Sequence, residues 1–114
     1  VVIAGLGCRR GCTAAELVAL IEATGEAPAL LAAPHFKRGE AGLHGAAAAL
    51  GVALTFVDDA ALAAAQAGCL TRSAAAERAT GHACIAEAAA IAAGGRLLGP
   101  RIASANATCA VARR

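Results

Sequence analysis

The sequence predicts an α/β protein, a three-layer α/β/α sandwich with a mixed, mostly parallel sheet. Three observations carry that prediction. Short aliphatic runs at Val1–Leu6, Ala29–Ala33 and Val52–Val57 alternate with Ala- and Leu-rich stretches of helical periodicity. Glycine stops each of those stretches, at Gly25, Gly51, Gly68, Gly81 and Gly94. Strands joined through helices in this way form a largely parallel sheet covered on both faces.

Taken in order, Val1–Leu6 is the first strand. Thr13 and Glu16 have the spacing of a capping box, in which hydroxyl and carboxylate each close a free backbone N–H. Leu17, Leu20 and Ile21 then form one apolar helical face, and Thr24-Gly25 ends it. Pro34 closes the second strand, Ala29–Ala33. A second helix runs over about 39–50, and Gly51 precedes the third strand, Val52–Val57. Asp58 suits the N-cap of a short helix ending at Gly68, and Ser73 suits that of an Ala-rich turn reaching Thr80. A further helix covers about 85–93. Arg96–Leu98 and Ala107–Ala112 are two last strands, joined closely enough for a hairpin, so the final strand runs antiparallel.

At 114 residues the chain, 1–114, forms one domain. Its residues are 59% hydrophobic, yet Phe36 and Phe56 are the only aromatics, so alanine must build a thin core with helices close to the sheet. A net charge of +2 and the near-absence of aromatics argue against nucleic acid. The longest uncharged run, 41–57, changes period midway and is no membrane span. No targeting pattern opens the chain, and a cytoplasmic location is expected. The five cysteines, at 8, 12, 69, 84 and 109, form no C-x-x-C pair. They read as free thiols in a reducing compartment, with neither metal nor cofactor.

The chemistry concentrates around the first loop. Gly5, Gly7 and Gly11 surround Arg9 and Arg10 just before a helix, so backbone N–H groups and positive charge can meet an anion there. The spacing fits neither G-x-G-x-x-G nor the P-loop, and a tight turn without a ligand is the plain alternative. Lys37 and Glu40 follow the second strand. In a parallel sheet Arg9, Arg10, His35 and Lys37 would share one rim, suited to a small molecule bearing several carboxylates or phosphates. The alternative there is a solvated helix start. Cys84 and Glu87 have capping-box spacing, with a thiol in place of the usual hydroxyl. Glu87 either closes that helix end or faces a ligand; Glu87 and His35 are the candidate general bases.

Four stretches together resemble a known family along nearly the whole chain: Gly5–Gly11, Lys37–Leu43, Gly81–Ala90 and Ala107–Arg113. This is the CobE family of cobalamin biosynthesis, which is similar to the C-terminal domain of the hydrolase CbiG. The family usually has Ser at the position of Cys84 and commonly Lys at that of Arg101. The resemblance implies that the partner is a precorrin or cobalt-precorrin intermediate rich in carboxylates. Arg9, Arg10 and Lys37 would pair with those carboxylates, while backbone N–H groups of the first loop and near Cys84 add hydrogen bonds. The full hydrolase opens a ring lactone and releases acetaldehyde, so a hydrolase with Glu87 or His35 as base is the rival expectation. A third is an accessory subunit docking another pathway enzyme.

Overall fold

β1 (Val2–Cys8) lies in the middle of the sheet because both of its faces are apolar. Ala4 and Leu6 point to one layer and Ile3 to the other, the two-residue period of a strand. The computed structural model describes residues 1–114. From β1 the chain passes through α1 (Ala14–Ala23), β2 (Leu30–Pro34), α2 (Ala41–Leu50), β3 (Ala53–Val57) and α3 (Asp59–Ala65). It continues through α4 (Ala74–Thr80), α5 (Ala86–Ala92), β4 (Arg96–Leu97), β5 (Ile102–Ala103) and β6 (Ala107–Arg113).

The strand order is β3-β2-β1-β6-β4, with β5 also paired to β6. β1, β2 and β3 are parallel, whereas β1, β4 and β5 each pair antiparallel with β6. Five strands therefore share a direction and β6 alone opposes them, giving the mixed, mostly parallel sheet expected.

Leu17, Leu20 and Ile21 of α1 pack with Leu43 and Ala46 of α2 over Ala4, Leu6 and Leu31. On the opposite face, Leu62 of α3 and the alanines of α5 cover Ile3, Ala32 and Ala112. Alanine lets α5 approach closely: a Cβ added at Gly5 would lie 2.0 Å from Ala86 O and 2.7 Å from Ala90 N. Gly5 is thus a packing residue under α5 and not a ligand contact.

Several boundaries differ from expectation. α2 starts at Ala41, and residues 35–37 form a 3-10 turn directly after β2. β5 was not expected at all. It continues β4 along β6 after a break at 98–101, where Pro100 has no N–H to donate and Arg101 turns its own N–H inward.

The cysteines depart further. Cys69 and Cys84 form a disulfide, so only Cys8, Cys12 and Cys109 are free thiols. α3 packs against α5, which brings Cys69, shortly after one helix, to Cys84, two residues before the other. No helix is long and apolar enough to cross a membrane.

Candidate functional site

The carboxyl ends of β1 and β2 open into a groove of about 500 Å³. Arg9 and Arg10 enter it from the loop after β1, and Lys37 from the 3-10 turn after β2. Arg101, just before β5, completes the set. The apolar wall is Phe36, Ile85 and the face of α4 that carries Ala75, Ala76 and Ala79. These alanines, spaced three and four apart, lie along one side of the helix. The third wall is the tip of the β5–β6 hairpin, including Asn106.

No Asp or Glu lines this groove, and no carboxylate lies within ion-pair distance of any of its four cations. The one contact of ion-pair geometry in the molecule is His82 Nε2 to Asp59 Oδ1, at 2.8 Å, and it lies away from these cations. Four uncompensated cations around an alanine-rich wall present positive charge beside apolar surface. That combination suits a ligand with several anionic groups on an apolar body.

The first loop itself works differently from expectation. Gly7 is within β1, opposite Thr108 of β6, and a Cβ there would come 2.7 Å from Thr108 Oγ1. Arg9 N–H donates to Asn106 O at 2.8 Å, and Cys12 N–H to Arg9 O at 3.1 Å. Gly11, at a φ of 81°, donates to the Glu40 carboxylate at 3.1 Å. A side chain of the protein thus takes the N–H that the loop was expected to offer an anion. Glu40 shapes the loop from inside, and the loop's contribution to the groove is its two arginine side chains.

Glu87 lies furthest from its expected role. It is 0% exposed, which excludes it as a base acting on water in the groove. It does not close its own helix end, because Ile85 and not Cys84 is the N-cap of α5. Its Oε1 accepts from Leu70 N–H at 2.8 Å and Thr71 N–H at 2.9 Å, and its Oε2 from Arg101 N–H at 2.8 Å. One carboxylate therefore joins the segment leading into α4 to the segment carrying Arg101, two walls of the groove.

Cys84 is 1% exposed and bonded to Cys69. Its backbone N–H donates to Gln66 Oε1 at 3.2 Å, so it is not available to a ligand. His35 is exposed beside the groove without lining it; its Nδ1 lies 3.4 Å from Arg38 Nη1. Arg101 takes the place on the rim expected for His35. The sequence signal for it is slight, a cation following the Gly99-Pro100 break.

The thiols are poor ligands for a cation. Burial pushes Cys12 up to about 11, helped by Glu16, and pushes Cys109 up to about 12. Cys8 is raised too, by burial first, against the lowering effect of Lys37. Protonated thiols neither attack nor coordinate well at neutral pH.

Glu16 ties the groove to α1. The expected capping box is present: Glu16 N–H donates to Thr13 Oγ1 at 3.2 Å and Thr13 N–H to Glu16 Oε2 at 2.8 Å. Its Oε1 also accepts from Asn106 Nδ2 at 2.7 Å, across to the hairpin tip. The Thr13 backbone bond first, then Asn106 and the Thr13 hydroxyl, lower its pKa from 4.5 to about 2. A depressed carboxylate pKa contributes stability above the unfolded value and loses it as pH falls through the folded value. Comparing thermal midpoints of wild type and Glu16→Gln, the advantage of wild type should shrink as pH falls from 4.5 toward 2. A difference that stays constant over that range would show that the box does not depend on the ionised carboxylate.

Comparison with known proteins bears on this geometry. The family described as cobalamin synthesis G C-terminus matches residues 2–112. The chain superposes on the crystal structure of CobE, a protein from the cobalamin (vitamin B12) biosynthetic pathway, with a TM-score of 0.92 and 41% identity. That match covers 100% of this chain and 90% of the other. It also superposes on the cobalamin biosynthesis protein chiG from Agrobacterium tumefaciens str. C58, with a TM-score of 0.76 and 31% identity, over 99% and 98% of the two chains. The curated proteins contain no match.

Proposed function

Because the chain belongs to the cobalamin synthesis G C-terminus family, we propose that its groove binds, or hands on, a polycarboxylate tetrapyrrole intermediate of cobalamin synthesis. The observation that carries this reading is the groove lining: Arg9, Arg10, Lys37 and Arg101 beside an alanine wall, with no acidic residue among them. Corrin precursors bear acetate and propionate side chains around an apolar ring, and such a ligand matches both halves of that surface. Its macrocycle would lie against α4 and Phe36 while the arginines and Lys37 take its carboxylates, each a charge-assisted hydrogen bond.

The same lining favours binding over lactone hydrolysis. A hydrolase needs a base within reach of its water and a donor to the developing oxyanion. The groove has cationic donors, but neither imidazole nor carboxylate among its lining residues.

Incubation with a lactone-bearing cobalt-precorrin should therefore give a complex, seen as a shifted absorption spectrum, without release of acetaldehyde. Acetaldehyde produced in many turnovers would overturn the binding reading and install the hydrolase. No spectral change at any concentration would remove the tetrapyrrole from the groove altogether.

A further inference from the structure

α4 stands out among the helices because it buries none of its residues. It forms the apolar wall of the groove, yet the core does not hold it there. Its attachment lies at the two ends of the excursion that carries it, residues 70–83. Ser73 N–H donates to Ala83 O at 2.7 Å, and Glu87 takes the N–H groups of Leu70 and Thr71. At the foot of the excursion the Cys69–Cys84 disulfide links its two ends covalently, with 15 residues of sequence separation.

The two sulfurs differ in setting. Cys84 is buried, and Gln66 grips its backbone from both sides, donating to Cys84 O at 2.8 Å and accepting from Cys84 N–H. Cys69 is half-buried. Next to it, Thr71 Oγ1 is buried without a hydrogen-bond partner. The closed arrangement thus leaves one hydroxyl unsatisfied on the Cys69 side, which offsets part of what the two bonds to Glu87 contribute there.

We propose that the Cys69–Cys84 disulfide is a reversible redox clasp on the groove, an inference that rests on the groove being the ligand site. Formed, it holds α4 as the apolar wall. Reduced, it leaves the Cys69 end held only by the Leu70 and Thr71 N–H bonds to Glu87, so the 70–83 excursion opens more often and ligand affinity falls.

The chemistry needs a dithiol reductant. Its thiolate attacks the accessible Cys69 sulfur, forming a mixed disulfide as the Cys69–Cys84 bond breaks. Cys84 leaves as a thiolate and takes up a proton. Its Sγ lies 3.5 Å from Glu87 Oε1, so the resulting thiol can donate to that carboxylate. The reductant's second thiolate then attacks its own sulfur in the mixed disulfide. That releases Cys69 as a thiol, after protonation, and leaves the reductant as a disulfide. Two electrons and two protons pass to the protein.

The test follows the clasp and the ligand separately. Trypsin can cut the excursion after Arg72 and Arg78, both exposed. Reduction with dithiothreitol should speed cleavage at these two sites by roughly tenfold to a hundredfold, the upper end being what a cross-link closing a loop of this length can contribute. Cys69→Ser, which spares the buried Cys84, should be cut at the reduced rate with or without reductant. In parallel, uroporphyrin should bind the oxidised protein several-fold more tightly than the reduced form or Cys69→Ser.

Cleavage rates that ignore reductant would overturn the clasp and leave the groove reading intact. So would five alkylatable thiols in protein purified in air. Faster cleavage with unchanged uroporphyrin affinity would overturn control of the groove by the clasp. If neither redox form binds uroporphyrin, the groove reading falls and the regulation with it, whatever the cleavage rates.

Discussion

Replacing Glu87 with alanine should destabilise the protein by about 3–5 kcal/mol, since three backbone N–H groups lose their acceptor at ~1–3 kcal/mol each where they stay buried. The carboxylate is fully buried and accepts three backbone N–H groups. Truncation leaves all three without a partner and opens a cavity beneath α5. Glu87→Gln separates the hydrogen bonds from the volume. Its amide oxygen can keep Leu70 and Thr71, but its NH₂ then faces the Arg101 N–H, donor against donor. A loss of about 1–3 kcal/mol is expected for that one mismatched contact. Urea unfolding of the three proteins measures both steps. A Gln variant as stable as wild type would show that the Arg101 bond contributes nothing, and that Glu87 does not join the two walls of the groove.

The second large effect is on binding. Lys37→Glu combined with Arg101→Glu should weaken uroporphyrin at least about a hundredfold, since two charge-assisted bonds of ~1.5–3 kcal/mol each are lost. Both residues are half-buried in the groove and neither makes an ion pair, so the thermal midpoint should change little. The Arg101 N–H to Glu87 is a backbone bond and survives the substitution. Wild-type affinity should fall with added salt, and the variant's should depend on salt much less. A porphyrin without carboxylates should bind both proteins alike. Equal uroporphyrin affinity in wild type and variant would remove the cations from the site.

The capping box at Thr13–Glu16, the antiparallel final strand and the order of strands and helices other than β5 are legible in the chain. Each depends on residues within a few positions of one another, where periodicity and capping chemistry act. The cationic character of the first loop and of Lys37 is legible for the same reason. The tendency of parallel strands to open a site at their carboxyl ends put these cations on one rim.

What tertiary structure decided is where distant segments meet. Glu87 looks locally like a helix-end residue, because its spacing from Cys84 fits a capping box. Its real partners are the N–H groups of Leu70, Thr71 and Arg101, and backbone N–H groups carry no mark in a sequence. Glu40 reaches the first loop in the same way, taking the N–H of Gly11 from 29 positions away. Cys69 and Cys84 pair because α3 and α5 pack together, a contact made by alanines and Leu62 that spacing between cysteines does not encode. Arg101 joins the groove because Pro100 interrupts the edge of the sheet and Glu87 draws the next N–H inward. Local chemistry, in short range, set the elements and the sign of the charge. Which carboxylates are consumed inside the fold, and which cations stay free at its surface, depended on packing between elements far apart in the chain.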